Sequence, residues 1–300
     1  MTKLMSLADA VKEFVHDGDT VYAAGFTHLI PFAAGHEIIR QKKRELVLAR
    51  ATPDLIYDQL VAAGCARKVI FSYMGNPGVG SLRIVRSEIE AGRLEWEEYS
   101  HFGMITRLQA GASGLPFLPM NQTGATSLEK VNSNIKRIPD PFGGKDVIAI
   151  RALNPDVAIV HTQRADKEGN AHLWGIIGEQ KEAAFAAKRV ILSTEELVDE
   201  SVIRSDPNRT MIPGIVVTAV CHVPFACHPS YAQGCYDRDN DFYLQWDKIS
   251  ESRPEVEAWL KEWVYDVADR DAYWEKLGAD TQKRLKIEPQ YSEKVNYGKY

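Results

Sequence analysis

Two short stretches have the residue types and spacing to meet a ligand with backbone rather than side chains. In Val21-Tyr22-Ala23-Ala24-Gly25-Phe26-Thr27-His28-Leu29-Ile30-Pro31 an apolar, β-prone run stops at Gly25, and Pro31 opens a helical pattern. Gly25 allows a sharp turn or a close backbone approach to a ligand, and Pro31 suits the first turn of a helix. An ordinary strand–turn–helix junction has the same pattern. In Met74-Gly75-Asn76-Pro77-Gly78-Val79-Gly80-Ser81 the chain is at its most glycine-rich. Such a loop beside a helix N-terminus exposes several N–H groups and favours an anion or oxyanion; as a plain turn it needs no ligand. It is not a Walker loop, because no Gly-Lys-Ser/Thr follows, and its spacing does not match the dinucleotide fingerprint.

Carboxylates are abundant: Glu37, Asp54, Glu179, Glu195, Glu196 and Asp199. Burial and nearby dipoles can turn such a group into a covalent nucleophile. Glu195-Glu196 directly follows a strand pattern and begins a helical one, where acids also complement the helix dipole, so spacing names no nucleophile. Cys221-His222-Val223-Pro224-Phe225-Ala226-Cys227-His228, with Cys235 beyond, has metal-ligating residue types. The spacing between Cys221 and Cys227 is wider than that of paired zinc ligands, and Pro224 splits the run. These read as scattered structural residues, and no metal is expected. Without a Gly-x-Ser-x-Gly elbow, a hydrolase triad of that type has no anchor.

The elements around these stretches follow from periodicity. Ser6 caps a helix with Leu7, Val11, Phe14 and Val15 at helical spacing. Residues 20–24 form a strand, 31–41 a helix, 46–49 a buried strand, 52–63 a helix stopped by Gly64, and 69–73 a third strand. That β-α-β-α-β order predicts a parallel sheet with right-handed crossovers. Residues 82–91 are helical, 94–99 alternate as an edge strand, and 101–113 are helical. Residues 115–119 are extended, 121–126 form a small polar loop, and 128–145 make an excursion outside the sheet. Strands at 147–150 and 157–161, a short return at 171–174, a helix at 180–188 and a strand at 189–194 follow, with 215–220 as the last core strand. Beyond Pro224 the chain reads as loop-like and aromatic, then helical over 255–269 and 271–277. The expected fold is α/β, an open, mostly parallel sheet flanked by helices, Rossmann-like. It forms a single domain over 1–300 with a C-terminal helical extension from about residue 224.

A hydrophobic fraction of 45% and a charged fraction of 26% are those of a globular protein with a sizeable core. A net charge of −5, with only Lys42-Lys43-Arg44 and Lys188-Arg189 clustered, argues against nucleic acid as a partner. The N-terminal residues lack the apolar core of a signal peptide, and no stretch is long enough to span a membrane. Four cysteines make no disulfide framework. A cytoplasmic location with reduced thiols is expected.

Several segments occur together in the order found in one family. These are Gly25-Phe26-Thr27, Gly64-Cys65-Ala66-Arg67-Lys68-Val69, Ser72 to Gly80, Gly111-Ala112-Ser113-Gly114-Leu115-Pro116-Phe117 and Asn170-Ala171-His172-Leu173-Trp174-Gly175, with Ala226-Cys227-His228-Pro229-Ser230 and Tyr236-Asp237-Arg238-Asp239-Asn240 downstream. From about Leu7 to Leu277 the chain resembles the α (A) subunit of the family I CoA-transferases, closest to the 3-oxoadipate and glutaconate branch. Each motif is weak alone; order and spacing make the resemblance specific.

The resemblance implies a heterodimer or higher (αβ)n assembly with a β (B) subunit that carries the nucleophilic glutamate. It implies CoA transfer between succinyl-CoA or acetyl-CoA and a small dicarboxylic or 3-oxo dicarboxylic acid through a glutamyl-CoA thioester. CoA is then a co-substrate, and no cofactor is permanently bound. Gly25, Phe26 and Thr27 are the expected oxyanion donors. Thr27, His28, Gly75, Asn76, Gly78, Val79, Gly80, Ser81 and Gln109 are the expected substrate-binding residues, although an exposed-turn role fits His28 equally. A CoA-ester hydrolase of the ring-opening type on the same αβ scaffold is the alternative, and a non-catalytic binding protein a more distant one.

Overall fold

Capped helices and apolar strands alternate through the computed structural model, which describes residues 2–76, 79–121 and 127–287. The order is α1 (Leu7–Phe14), β1 (Thr20–Ala23), α2 (Phe32–Arg40), β2 (Leu46–Ala49), α3 (Leu55–Ala62), β3 (Ala66–Phe71), α4 (Arg83–Glu90), β4 (Glu95–Glu98) and α5 (His101–Ala112). Then come β5 (Phe117–Met120), α6 (Leu128–Val131), β6 (Ile135–Ile138), β7 (Val147–Arg151), β8 (Val157–Ala165), β9 (Ala171–His172), α7 (Gln180–Ala186) and β10 (Arg189–Leu197). The chain ends with α8 (Glu200–Ser205), β11 (Thr210–Ile212), β12 (Ala219–His222), α9 (Asn240–Ile249), α10 (Arg253–Leu260) and α11 (Arg270–Arg284). Ser6 and Asp54 cap α1 and α3 by accepting from Asp9 N and Leu55 N, as their residue types predict.

The parallel strands lie in the order β4-β3-β2-β1-β8-β10-β12, with β9 and β11 antiparallel beyond the end of β8. From β1 the chain winds outward to β4, then returns to the other side of β1 with β8. The carboxyl end of β1 is therefore a topological switch point, the kind of place where open α/β sheets bind ligands. Side-chain alternation sends Val21, Leu48, Val69 and Ile159 to one core, and Tyr22, Val47, Ile70 and Ala158 to the other. The first core also takes Tyr243, Trp246, Val256, Trp259 and Val264 from the C-terminal helices. β5, β7 and β6 form a separate antiparallel sheet, so the excursion expected at 128–145 carries β6 into that sheet.

Three expectations are corrected. Glu195 and Glu196 lie within β10 and do not open a helix, because pairing with β8 continues to Leu197↔Ala165. The run 215–220 is not one strand: Gly214–Val216 is a 3-10 turn with Ile215 90% exposed, and β12 begins only at Ala219, where the chain meets β10. The stretch after Pro224 contains the helix α9, capped by Asp239. Its aromatic composition hides a helical face formed by Tyr243 and Trp246, which fill the core. The loop expected at 121–126 lies outside the described residues after Asn121.

Candidate active site

At the switch point the chain turns on Gly25, whose φ of +130° suits glycine alone. A Cβ there would lie 2.8 Å from the carbonyl oxygens of both His28 and Leu29. Thr27 and Leu29 also have positive φ, each 54°. The turn is held from several directions. Arg50 Nη2 donates to Gly25 O (2.6 Å), Ser230 Oγ to Thr27 O (2.8 Å), Leu29 N to Tyr231 O (2.9 Å) and, at the second residue of α2, Ala33 N to Ala226 O (2.9 Å). Phe26 packs edge-on against His101 at 5.7 Å, and His101 Nδ1 is 2.9 Å from Ser72 Oγ, at the end of β3.

His28 is not an exposed turn residue; it is fully buried. Its Nε2 accepts from Gln233 N (2.9 Å), so its Nδ1 carries the proton and donates to Ile176 O (3.0 Å). Burial lowers its pKa to about 4, which keeps the ring neutral at pH 7. His28 is thus a post supporting the turn, with both ring nitrogens engaged.

The glycine loop after β3 is anchored differently. Gly75 and Gly80 have positive φ, and Asn76 N donates to Gly80 O (3.0 Å). The far side of the loop faces α9: a Cβ on Gly80 would meet Asp247, and Ser81 N donates to Asp247 Oδ1 (3.2 Å). Arg83 forks onto the same carboxylate, and its hydrogen bonds lower the Asp247 pKa. Ser81 N is thus already committed. Asn76 Nδ2 is buried without a partner. Val79 packs against the core, and Gly78 lies outside the described residues.

Gln109 is not brought to this site. α5 begins at the carboxyl edge with His101, and Gln109 is eight residues further, about 12 Å along the axis. There it lines a 260 Å³ groove with Lys181, Glu182 and Phe185 of α7. His101, packed on Phe26, is the α5 residue at the switch point.

Sequence reasoning missed a set of buried polar groups at the same edge. Arg50, just after β2, is 0% exposed, and its Nε and Nη1 have no hydrogen-bond partner. Tyr22 OH donates to Glu179 Oε1 (2.8 Å) and accepts from Ala51 N (3.2 Å). Glu179 Oε2, Gln180 Nε2 and Thr52 Oγ1 are likewise unpartnered. Buried polar atoms are nearly always paired, so such a concentration marks a place where something else binds or water is held. The available signal was a charged residue ending the apolar run Leu46-Val47-Leu48-Ala49-Arg50.

The other carboxylates have structural duties. Glu195 Oε1 accepts from Tyr236 OH (2.7 Å) and lies 2.8 Å from His161 Nε2, while Oε2 accepts from Phe225 N (2.7 Å). Glu196 pairs with Arg164, Glu37 with Arg40, and Asp199 caps α8. Cys227 joins His161 and Glu195 in one buried group, with ligand-type atoms within 4.8 Å. Burial raises its thiol pKa well above the ordinary value. His161 Nε2 and Glu195 Oε1 lie within hydrogen-bond distance at 2.8 Å.

A family model described as Coenzyme A transferase matches residues 4–222. The α (A) subunit of 3-oxoadipate CoA-transferase from Pseudomonas knackmussii is 50% identical over 280 residues, covering 92% of this chain and 99% of that protein. The corresponding subunit of glutaconate CoA-transferase from Acidaminococcus fermentans is 38% identical over 307 residues, covering 96% of each. The crystal structure of glutaconate coenzyme A-transferase from the same organism matches with a TM-score of 0.90 and 36% identity over 96% of each chain. On the family match and these identities, the chain belongs to the coenzyme A transferase family.

Proposed function

We propose that this chain is the α (A) subunit of a heteromeric CoA-transferase. It moves CoA between succinyl-CoA or acetyl-CoA and a small dicarboxylic or 3-oxo dicarboxylic acid such as 3-oxoadipate or glutaconate. The observation that carries this reading is the 50% identity along 99% of the length of the 3-oxoadipate CoA-transferase chain. The partner β subunit supplies the nucleophilic glutamate, the complex is an αβ dimer or a multiple of it, and CoA is a co-substrate in the cytoplasm. No helix among the described residues is long and apolar enough to cross a membrane.

In this reading the partner's carboxylate attacks the thioester carbonyl of the acyl-CoA and expels CoA thiolate, leaving a mixed anhydride. The thiolate attacks the glutamyl carbonyl, releases the donor acid and leaves a glutamyl-CoA thioester. The acceptor carboxylate takes the CoA by the same steps in reverse. Each step passes through a tetrahedral oxyanion, which backbone donors at Gly25, Phe26 and Thr27 stabilise. Asn76, with its free buried amide, lines the acyl pocket with Gly75 and Gly80; Thr27 contacts substrate, and His28 holds the turn beneath it.

The test is co-expression with a β-type chain and measurement of CoA exchange. The complex transfers CoA to a dicarboxylate, and this chain alone does not. Absence of transfer to every dicarboxylate tried sinks the proposal. Accumulation of free acid and free CoA without an acceptor replaces it with the hydrolase reading.

A further inference from the structure

Arg50 is a buried cation without a contact ion pair among the described residues: it is 0% exposed and forms no ion pair within 4.0 Å. Asp54, whose carboxyl feels its charge, is instead bonded to Leu55 N (2.7 Å) and Tyr243 OH (3.0 Å). Glu179 is bonded to Tyr22. A guanidinium stays protonated at any working pH, and a buried charge without a partner is unfavourable to the fold. Among the described residues the guanidinium makes one hydrogen bond, from Nη2 to Gly25 O at 2.6 Å, in the turn at the switch point.

We propose that Arg50 is a positioning residue for CoA transfer: it grips the Gly25 carbonyl from inside the protein, so fixing the Gly25–Phe26 peptide and setting a positive charge beneath the reacting carboxyl. This rests on the reading of the turn as the oxyanion site. A trans peptide is planar, with its C=O and N–H pointing in opposite directions. Holding Gly25 O therefore sets the direction of Phe26 N–H. A cation bonded to the carbonyl also polarises the peptide and strengthens that N–H as a donor. The thioester and anhydride carbonyls that are attacked are neutral, and each becomes an oxyanion in the tetrahedral transition state. A cation fixed behind the Gly25–Phe26 peptide favours the oxyanion over the neutral carbonyl that precedes it, and that differential is what accelerates a reaction.

The experiment uses the complete two-chain complex with Arg50→Met and Arg50→Lys. Both variants assemble with the partner. The expected R50M result is a kcat lower by about 10²–10³, the scale of one lost oxyanion donor, with the KM for acyl-CoA within threefold. R50K, which keeps the charge and a donor, recovers at least tenfold of the loss. The rate of trapping the enzyme–CoA thioester with borohydride falls in parallel with kcat. A kcat within threefold of the parent in R50M overturns the inference. So does a loss confined to KM, an R50K no faster than R50M, or failure of both variants to assemble. Absence of CoA transfer by the parent complex refutes the underlying functional reading instead.

Discussion

Replacing Gly25 by alanine is the most direct perturbation of the turn. The residue has φ +130°, and holding an L-residue in such a conformation costs about 1–3 kcal/mol. The new Cβ would lie 2.8 Å from two backbone oxygens, His28 O and Leu29 O. Neither can swing aside as a side chain does: Leu29 is tied to Tyr231, and the His28 ring to Ile176 and Gln233. Overpacking of this kind adds about 1–3 kcal/mol. The expected total is about 2–6 kcal/mol, a large share of the roughly 5–15 kcal/mol that holds a typical domain folded. At about 2–4 °C per kcal/mol, calorimetry of G25A records a melting point lower by roughly 4–24 °C. Gly92→Ala is the control. Gly92 also has positive φ (+68°), but a Cβ there meets nothing within 4 Å, so only the strain of about 1 kcal/mol remains. If strain and crowding both matter, G25A is clearly the less stable of the two. In the two-chain complex it also loses at least about 10² in kcat, while G92A keeps its activity. Equal melting points for the two variants, or a fully active G25A, refute the reasoning.

Three other outcomes follow from named contacts. In E179Q the bond from Tyr22 survives, so the borohydride-trapped thioester forms on the partner chain in undiminished yield; a trapped thioester mapped to Glu179 in the parent complex would make Glu179 the nucleophile. His28 has a folded-state pKa of about 4, below its ordinary 6.5, so the unfolded chain takes up its proton first. Its contribution to stability is intact above about pH 6.5 and is lost as pH falls towards 4, by up to about 3 kcal/mol. Urea unfolding of His28→Gln is correspondingly less pH-dependent over that interval than the parent's, and parallel curves would contradict the neutral-post role. Asp247→Asn loosens the glycine loop. Because Asp247 and Arg83 are partly exposed, stability changes by only about 0–1 kcal/mol, whereas the KM for the acid rises several-fold; an unchanged KM would detach the loop from the acyl pocket.

Much of the fold was legible because its strands are short apolar runs and its helices carry caps, signals that act within a few residues. Ser6, Asp54 and Gly64 each sit where residue type alone puts them. What escaped depends on distant pairing. Glu195 has the neighbours of a helix start, yet β8 continues alongside it and keeps it in a strand. The run 215–220 has strand composition throughout, but only Ala219 onward reaches β10. The same division holds in the site. Gly25 was visible because a glycine must end that strand. Arg50 was not, because its significance is one bond to a carbonyl 25 positions earlier. Gln109 was expected at the site with the glycine loop, but it lies near the C-terminal end of α5, whereas His101 at the other end packs on Phe26.

The turn's supports explain why the C-terminal third is inseparable from the site. Arg270, at the first residue of α11, donates through Nε and Nη2 to Phe225 O and through Nη2 to His228 O. That fixes the segment whose Phe225 N binds Glu195 and whose Ala226 O receives Ala33 N of α2. The next residues of the same segment reach the turn itself: Ser230 bonds Thr27, Tyr231 O receives Leu29 N, and Gln233 N bonds His28. These contacts span more than 200 positions of sequence, so closing them costs chain entropy that local structure does not. They constrain a turn with three positive-φ residues in five positions, a backbone that would otherwise relax. The conformation at Gly25 is therefore over-determined from the far end of the chain, the condition under which a strained backbone persists at a working site.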